Sequence, residues 1–240
     1  MLEWAVVTGL VLSCEHASWT LPPGVDLGVP KDVLQSQAGW DHGAYEIIAR
    51  LAEHTGIAVH AGSFTRMFVD LNRPPDHPDV CPAVCYGAVV PGNAHLSSGD
   101  RAARLAAFHA PYWDAVRREC KARMSDGDAG EVLHFSSHTF DPELDPAHRT
   151  FDVGVLYDPA HPFEAALAER LLFALRAAGL DVRANQPYSG VGAAICTALR
   201  IEFAGQRYAG IQLETSHRVT HTPGGCARVA AAVIPFLDSL

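Results

Sequence analysis

The sequence predicts an α/β fold in which a mostly parallel sheet is covered on both faces by helices. Three observations predict it. Short apolar runs alternate with amphipathic stretches along the 240 residues. The runs are continuously apolar, as in strands buried on both faces. His16, His138 and Glu214 each fall at or just past the end of such a run, where open α/β sheets bind ligands.

Element by element, residues 6–13 form a buried strand ending at Cys14-Glu15-His16, and a loop with Pro22, Pro23 and Gly24 follows. Residues 44–54 form a helix with Ile47, Ile48, Leu51 and Ala52 on one face; Asp41 stands near its start and Gly56 ends it. Residues 57–60 and 68–71 read as strands, 74–82 as a Pro/Asp-rich loop, and 100–123 as a long helix bent at Pro111. Strands over 132–137 and 151–157, a helix over 162–178 closed by Gly179, and strands over 180–183 and 208–213 come next. A helix over 226–237 completes the chain.

Composition narrows the function classes. Hydrophobic residues at 48% and charged residues at 19% are ordinary for a globular chain and exclude a disordered, collagenous or coiled-coil protein. The length and the lack of a linker predict one domain over residues 1–240. A net charge of −9 repels phosphate backbones, so no nucleic-acid partner is expected. No apolar run approaches the roughly 20 residues of a membrane span, and no basic segment leads into a hydrophobic one. The expectation is a cytoplasmic protein with no membrane partner. The six cysteines contain no CxxC pair and read as reduced, structural thiols.

Several constellations carry chemistry. Ser13-Cys14-Glu15-His16-Ala17-Ser18 reads either as a polar strand end or as a ligand-bearing turn. Glu15 beside Cys14 raises the thiol pKa and disfavours a cysteine nucleophile. Asp41, within Trp40-Asp41-His42-Gly43-Ala44, is either a helix N-cap or a carboxylate ligand facing the pocket of His16. Arg66 and Arg73 bracket the expected strand at 68–71, which leads into Asn72-Arg73-Pro74. A planar guanidinium and a directed amide suit a carboxylate. Ser137-His138, the turn-rich Asn185-Gln186-Pro187-Tyr188-Ser189-Gly190, and Glu214 complete the set. A carboxylate ending an apolar strand has to be paired or functional. His109-Ala110-Pro111-Tyr112 reads from the residues alone as packing.

In this order, about residues 11 to 217, the segments resemble the N-formylglutamate amidohydrolase family, which is similar in fold to the zinc carboxypeptidases. The resemblance implies a three-layer fold with a mixed, mainly parallel eight-stranded sheet. It implies one Zn2+ per chain on His16, Asp41 and His138, with Glu15 as the alternative carboxylate. Glu214 would be the general base and Arg66 the oxyanion donor; Asn72, Arg73, Tyr188 and His109 would meet a small anionic N-acyl amino acid. The reaction implied is hydrolysis of that amide, with N-formyl-L-glutamate the named substrate. A carboxypeptidase or deacylase acting on another acylated amino acid, a non-catalytic binding protein and a Cys14 hydrolase are the competing readings.

Overall fold

The computed structural model describes residues 9–126, 130–145 and 147–240. The first expected strand is β1, Gly9–Cys14; residues 6–8 of that expectation lie outside the described residues. Three short helices and two long ones follow with the strands between them: α1 (Lys31–Leu34), α2 (Ala44–Thr55), β2 (Val59–Ala61), β3 (Val84–Cys85), β4 (Ala88–Val89), α3 (Pro91–Ala94), α4 (Ser98–Arg104) and α5 (Ala110–Asp126). The second half contains β5 (Glu131–Phe140), β6 (Val153–Leu156), α6 (Pro162–Ala177), β7 (Val182–Ala184), α7 (Ile195–Glu202), β8 (Arg207–Ser216), α8 (His217–Thr220) and α9 (Gly225–Leu237).

Among the described residues the main sheet has six strands, in the order β2-β1-β5-β8-β6-β7, and β3 and β4 form a separate hairpin. Among those residues the sheet thus has six strands where the resemblance implies eight. The sheet is mixed: β2, β1, β5 and β8 run parallel, and β6 meets β8 antiparallel while pairing parallel with β7. Leu10, Leu12, Leu133 and Phe135 pack with α2, α6 and α9 on one face. Val11, Val132 and Tyr208 pack with α5 and α7 on the other. This alternation of neighbours to opposite faces is the period of a strand buried on both sides. Among the described residues no helix is long and apolar enough to cross a membrane.

Three expectations need correction. Residues 68–71 form no strand. Met67, Phe68, Val69 and Leu71 are buried in a third cluster, under loops at the sheet's carboxyl end. Their backbone turns, with Asp70 N–H on Val80 O at 2.8 Å and Arg73 N–H on Asp70 O at 3.2 Å. An apolar run buried beneath loops looks in sequence like one buried in a sheet. The long helix is interrupted by a π-helical turn, Leu105–His109, just ahead of Pro111, whose ring nitrogen has no hydrogen to donate to the preceding turn. The β3–β4 hairpin and α7 were not expected. The hairpin turns at Tyr86 and Gly87, both at positive φ, a pairing that favours a tight turn.

One polar contact sets a stability prediction. Glu164 is fully buried and takes Arg200 Nη2 and Nε at 2.6 and 2.9 Å, with the backbone N–H of Asp158 and Gly210. Arg200→Ala strands that carboxylate, and the chain should lose on the order of 3–5 kcal/mol. Urea unfolding measures this; a loss below about 1 kcal/mol would show that Glu164 has another cation.

Candidate metal centre and active site

The register of two strands begins the site. β5 and β8 pair in parallel with His138 opposite Glu214 and Ser136 opposite Gln212. Alternation places these four on one face near the carboxyl ends of the strands. His138 and Glu214 stand inside their strands, which continue to Phe140 and Ser216. Glu15 and His16 follow β1 directly. The backbone N–H of Asp41 donates to His16 O at 3.0 Å, so the loop ahead of α2 is laid across the end of β1. The N-cap of α2 is Gly43, at φ 90° and with no side-chain cap bond. The N-cap reading of Asp41 is therefore not met, and its carboxylate is directed elsewhere.

That carboxylate gathers both histidines. Asp41 Oδ2 lies 3.2 Å from His16 Nδ1 and 2.8 Å from His138 Nδ1. One donor atom from each of the three lies within 4.8 Å of the others. The outer ring nitrogens have separate buried acceptors. His16 Nε2 is 2.7 Å from Asp70 Oδ1, and His138 Nε2 is 3.0 Å from Glu15 Oε2. Glu15 is fixed in turn by Ser136 Oγ at 2.5 Å and Tyr112 OH at 2.8 Å. A carboxylate on the remote nitrogen of each imidazole is the arrangement that orients a histidine toward a metal. Asp41 Oδ1 carries Arg66 Nη2 and Gln37 Nε2.

The donor set fits a divalent ion. Two imidazoles and one carboxylate leave a position open on a tetrahedral ion such as zinc. Charge agrees: the buried acids Glu15, Asp41, Asp70 and Glu214 outnumber the cavity's arginines, Arg66 and Arg73, so the cluster favours a further positive charge, which a proton on His138 supplies in the metal-free protein. Glu15 is held among the outer contacts, whereas an Asp41 oxygen lies within 4.8 Å of a nitrogen of each histidine.

The ionisation states divide by environment. Glu214 is buried, and one carboxylate oxygen, Oε2, has no partner. Burial, against the opposing pull of His138, raises its carboxyl to about 7. Asp70, despite burial, is lowered to about 2 by His16 and then Arg66. Burial disfavours charge on His138, but hydrogen bonds to Asp41 and Glu15 overcome it and lift the ring to about 10. Two acids in one site pushed in opposite directions is the signature of divided acid–base roles.

These groups line a cavity of about 420 Å³, together with Arg66, Asn72, Arg73, Tyr86, Tyr188 and Gln212. Asn72 is locked: its amide nitrogen is 3.2 Å from Gln212 Oε1, and its oxygen accepts from Ile195 N–H at 3.2 Å. Arg73 is 42% exposed and bonds Ala193 O at 2.8 Å. Arg66 Nε is buried without an acceptor. Tyr188 OH meets Tyr86 OH at 3.1 Å across the cavity mouth. His109 does not line the cavity. It stacks on Trp113 with centroids 4.9 Å apart and holds Arg73 O at 2.8 Å. The packing reading of His109 stands, and its effect on the cavity passes through the Arg73 backbone. Cys14 is fully buried beneath α2, and burial, followed by the charges of Glu15 and Asp41, pushes its thiol up. That environment opposes nucleophilic chemistry.

The structure brings together His16, Asp41, His138, Glu214, Arg66, Asn72, Arg73 and Tyr188 around one cavity; of the shell behind them the sequence singled out only Glu15, and as a possible ligand. Gln212 was detectable, because polar residues at 212 and 214 alternate with apolar 211 and 213. Asp70 was visible only as a neighbour of Arg66 and Arg73.

A model of the N-formylglutamate amidohydrolase family matches residues 8–220. Among solved structures, the gene product Atu2144 from Agrobacterium tumefaciens is similar at TM-score 0.84 and 29% identity, over 96% of this chain and 89% of that one. The N-formylglutamate amidohydrolase from Ralstonia eutropha JMP134 is similar at TM-score 0.72 and 18% identity, over 97% and 92%. No curated protein matches the chain.

Proposed function

We propose that this chain, which belongs to the N-formylglutamate amidohydrolase family, hydrolyses the amide of an N-acyl amino acid, with N-formyl-L-glutamate as substrate and formate and glutamate as products. The observation that carries the reading is Glu214 Oε2, buried and unpartnered in the cavity that His16, Asp41 and His138 also line. A general base needs an uncommitted lone pair and a raised pKa together.

A divalent ion on His16, Asp41 and His138, zinc for preference, would polarise the acyl oxygen and acidify a water molecule at its open position. Glu214 takes the proton from the attacking water and hands it to the departing amine nitrogen. Water thus supplies its hydroxyl to the formyl carbon and its remaining proton to glutamate. The free Nε–H of Arg66 supplies a donor to the acyl oxygen as negative charge grows there, which is where a fixed donor contributes most. Asn72 and Arg73 hold the α-carboxylate of the amino acid. Tyr188, closing with Tyr86, excludes bulk water from the reacting bond.

The test is formate release from N-formyl-L-glutamate by protein stripped of metal and then given zinc. Activity that appears with zinc, disappears with chelator and exceeds that on N-acetylglutamate and on a dipeptide supports the proposal. Faster cleavage of the dipeptide would reassign the chain as a carboxypeptidase; no cleavage of any would leave a binding protein. Arg73→Ala should cost about 2 kcal/mol of transition-state binding, roughly a 30-fold loss in kcat/KM, because the guanidinium is partly solvated. Arg73→Lys should recover only part, lacking the fork. Steady-state kinetics of both variants at wild-type level would remove Arg73 from carboxylate binding.

A further inference from the structure

Three histidines that take no part in the cavity meet outside it. His217 and His221 are one helical turn apart at α8, where His221 N–H donates to His217 O at 3.0 Å. Their rings stack 4.4 Å apart at 21°. His42, from the loop before α2, packs edge-on to His221 at 4.8 Å and lies 6.5 Å from His217. Histidines at i and i+4 on one turn are a recurring two-point metal chelate. Imidazoles bonded at about 2.0–2.1 Å around one tetrahedral ion have ring centres about 5 Å apart; the 4.4 and 4.8 Å spacings to His221 are near that value, and His221 has to turn out of its stack on His217 for both lone pairs to meet one ion.

The supporting contacts point the same way. His217 Nε2 lies 3.3 Å from Thr139 Oγ1, which leaves Nδ1 as its open ring nitrogen. A hydrogen bond at the remote nitrogen is what a ligating imidazole carries. Burial, then the neighbouring His221, pushes His217 down to about 4, and burial followed by His42 lowers His221. The charge of Asp141 faces both rings and favours a cation beside them. Arg218, the nearest arginine in sequence, is turned away onto Thr150 O. Among the described residues only His16, Asp41 and His138 already have their donor atoms within 4.8 Å. At the outer trio, His42 and His221 are exposed and close on an ion by side-chain rotation.

We propose that His42, His217 and His221 form a second binding site, for a borderline transition-metal dication. The all-nitrogen donor set selects Zn2+, Ni2+ or Cu2+ over Mg2+ and Ca2+. An ion there links the loop that carries Asp41 to the turn that follows the Glu214 strand. The site is independent of the hydrolytic reading, since none of its residues touches the reacting groups.

Trp40 provides a reporter, with its ring 5.3 Å from that of His42. The experiment is a Ni2+ titration of chelator-stripped protein, followed by tryptophan fluorescence and by equilibrium dialysis. Wild type should bind two ions per chain. His42→Ala/His221→Ala should bind one, lose the quenching step and keep zinc-dependent formate release. His16→Ala/His138→Ala should bind one, keep the quenching and lose the activity. Removing two outer imidazoles should weaken the outer site by more than the roughly tenfold that losing even a supporting contact costs a metal site. Identical stoichiometry and quenching in wild type and His42→Ala/His221→Ala would overturn the proposal. So would Mg2+ displacing Ni2+ at equal concentration. Trp40→Phe, which leaves the three rings in place, should bind two ions without the quench; one ion there would also count against the site.

Discussion

Glu214→Gln should lower kcat by about 10²–10⁴ while leaving metal content at the wild-type level. Positioned proton transfer contributes in that range, and Glu214 is not among the donor atoms that converge on Asp41. The pH profile is the discriminating readout. A base works ionised, so wild-type activity falls as pH drops through the Glu214 pKa. That value is about 7 without metal, and a cation beside it moves it down toward 4.5, the ordinary value. The acid limb of kcat/KM should therefore fall between these limits and vanish from the residual activity of Glu214→Gln. Stability moves the other way. Because the folded pKa is raised, Glu214 destabilises the fold least below pH 4.5 and progressively more up to pH 7. In metal-free protein above pH 7, Glu214→Gln should gain on the order of 2–3 kcal/mol in urea unfolding. A variant both inactive and destabilised at pH 8 would indicate a structural carboxylate. This opposite pairing of activity and stability is expected of a charge kept buried for chemistry.

His16, His138 and Glu214, the site residues that strand pattern alone revealed, share a property: each sits where local pattern controls geometry. His16 follows an apolar run, His138 and Glu214 lie near the ends of two others, and a parallel register turns those positions into neighbours. The shell behind them depends on contacts across long stretches of chain. Asp70 reaches His16, and Tyr112 reaches Glu15 across 97 positions, and no periodicity encodes that. The same limit explains residues 68–71. Their apolar pattern reports burial correctly, but a loop cluster supplies the burial. Arg66 and Arg73 consequently reach the cavity from a sequence of turns instead of from the two ends of a strand. Asp41 shows the reverse case, an acid near a helix start whose capping role passes to Gly43, which frees both carboxylate oxygens for His16, His138, Arg66 and Gln37.

His138→Ala should abolish metal binding and activity together, and the reason extends beyond a missing ligand. His138 bridges Asp41 and Glu15 through its two nitrogens, at 2.8 and 3.0 Å. Removing the ring deprives two fully buried carboxylates of a shared partner, so the metal-free fold should weaken as well. Loss of metal from that variant alone cannot separate ligation from collapse. Glu15→Gln separates them, because it keeps both imidazoles and removes only the charge behind His138. An outer carboxylate typically contributes 10–100-fold in metal affinity. Glu15→Gln should therefore bind zinc roughly that much more weakly, measured by chelator competition, with activity restored at saturating zinc. Wild-type affinity in Glu15→Gln would confine Glu15 to a packing role. A loss as complete as that of His138→Ala, on a folded chain, would move Glu15 into the ligand set in place of Asp41. Asp41→Asn then decides between the two: it should lose zinc outright if Asp41 is the carboxylate ligand, and retain it if Glu15 is.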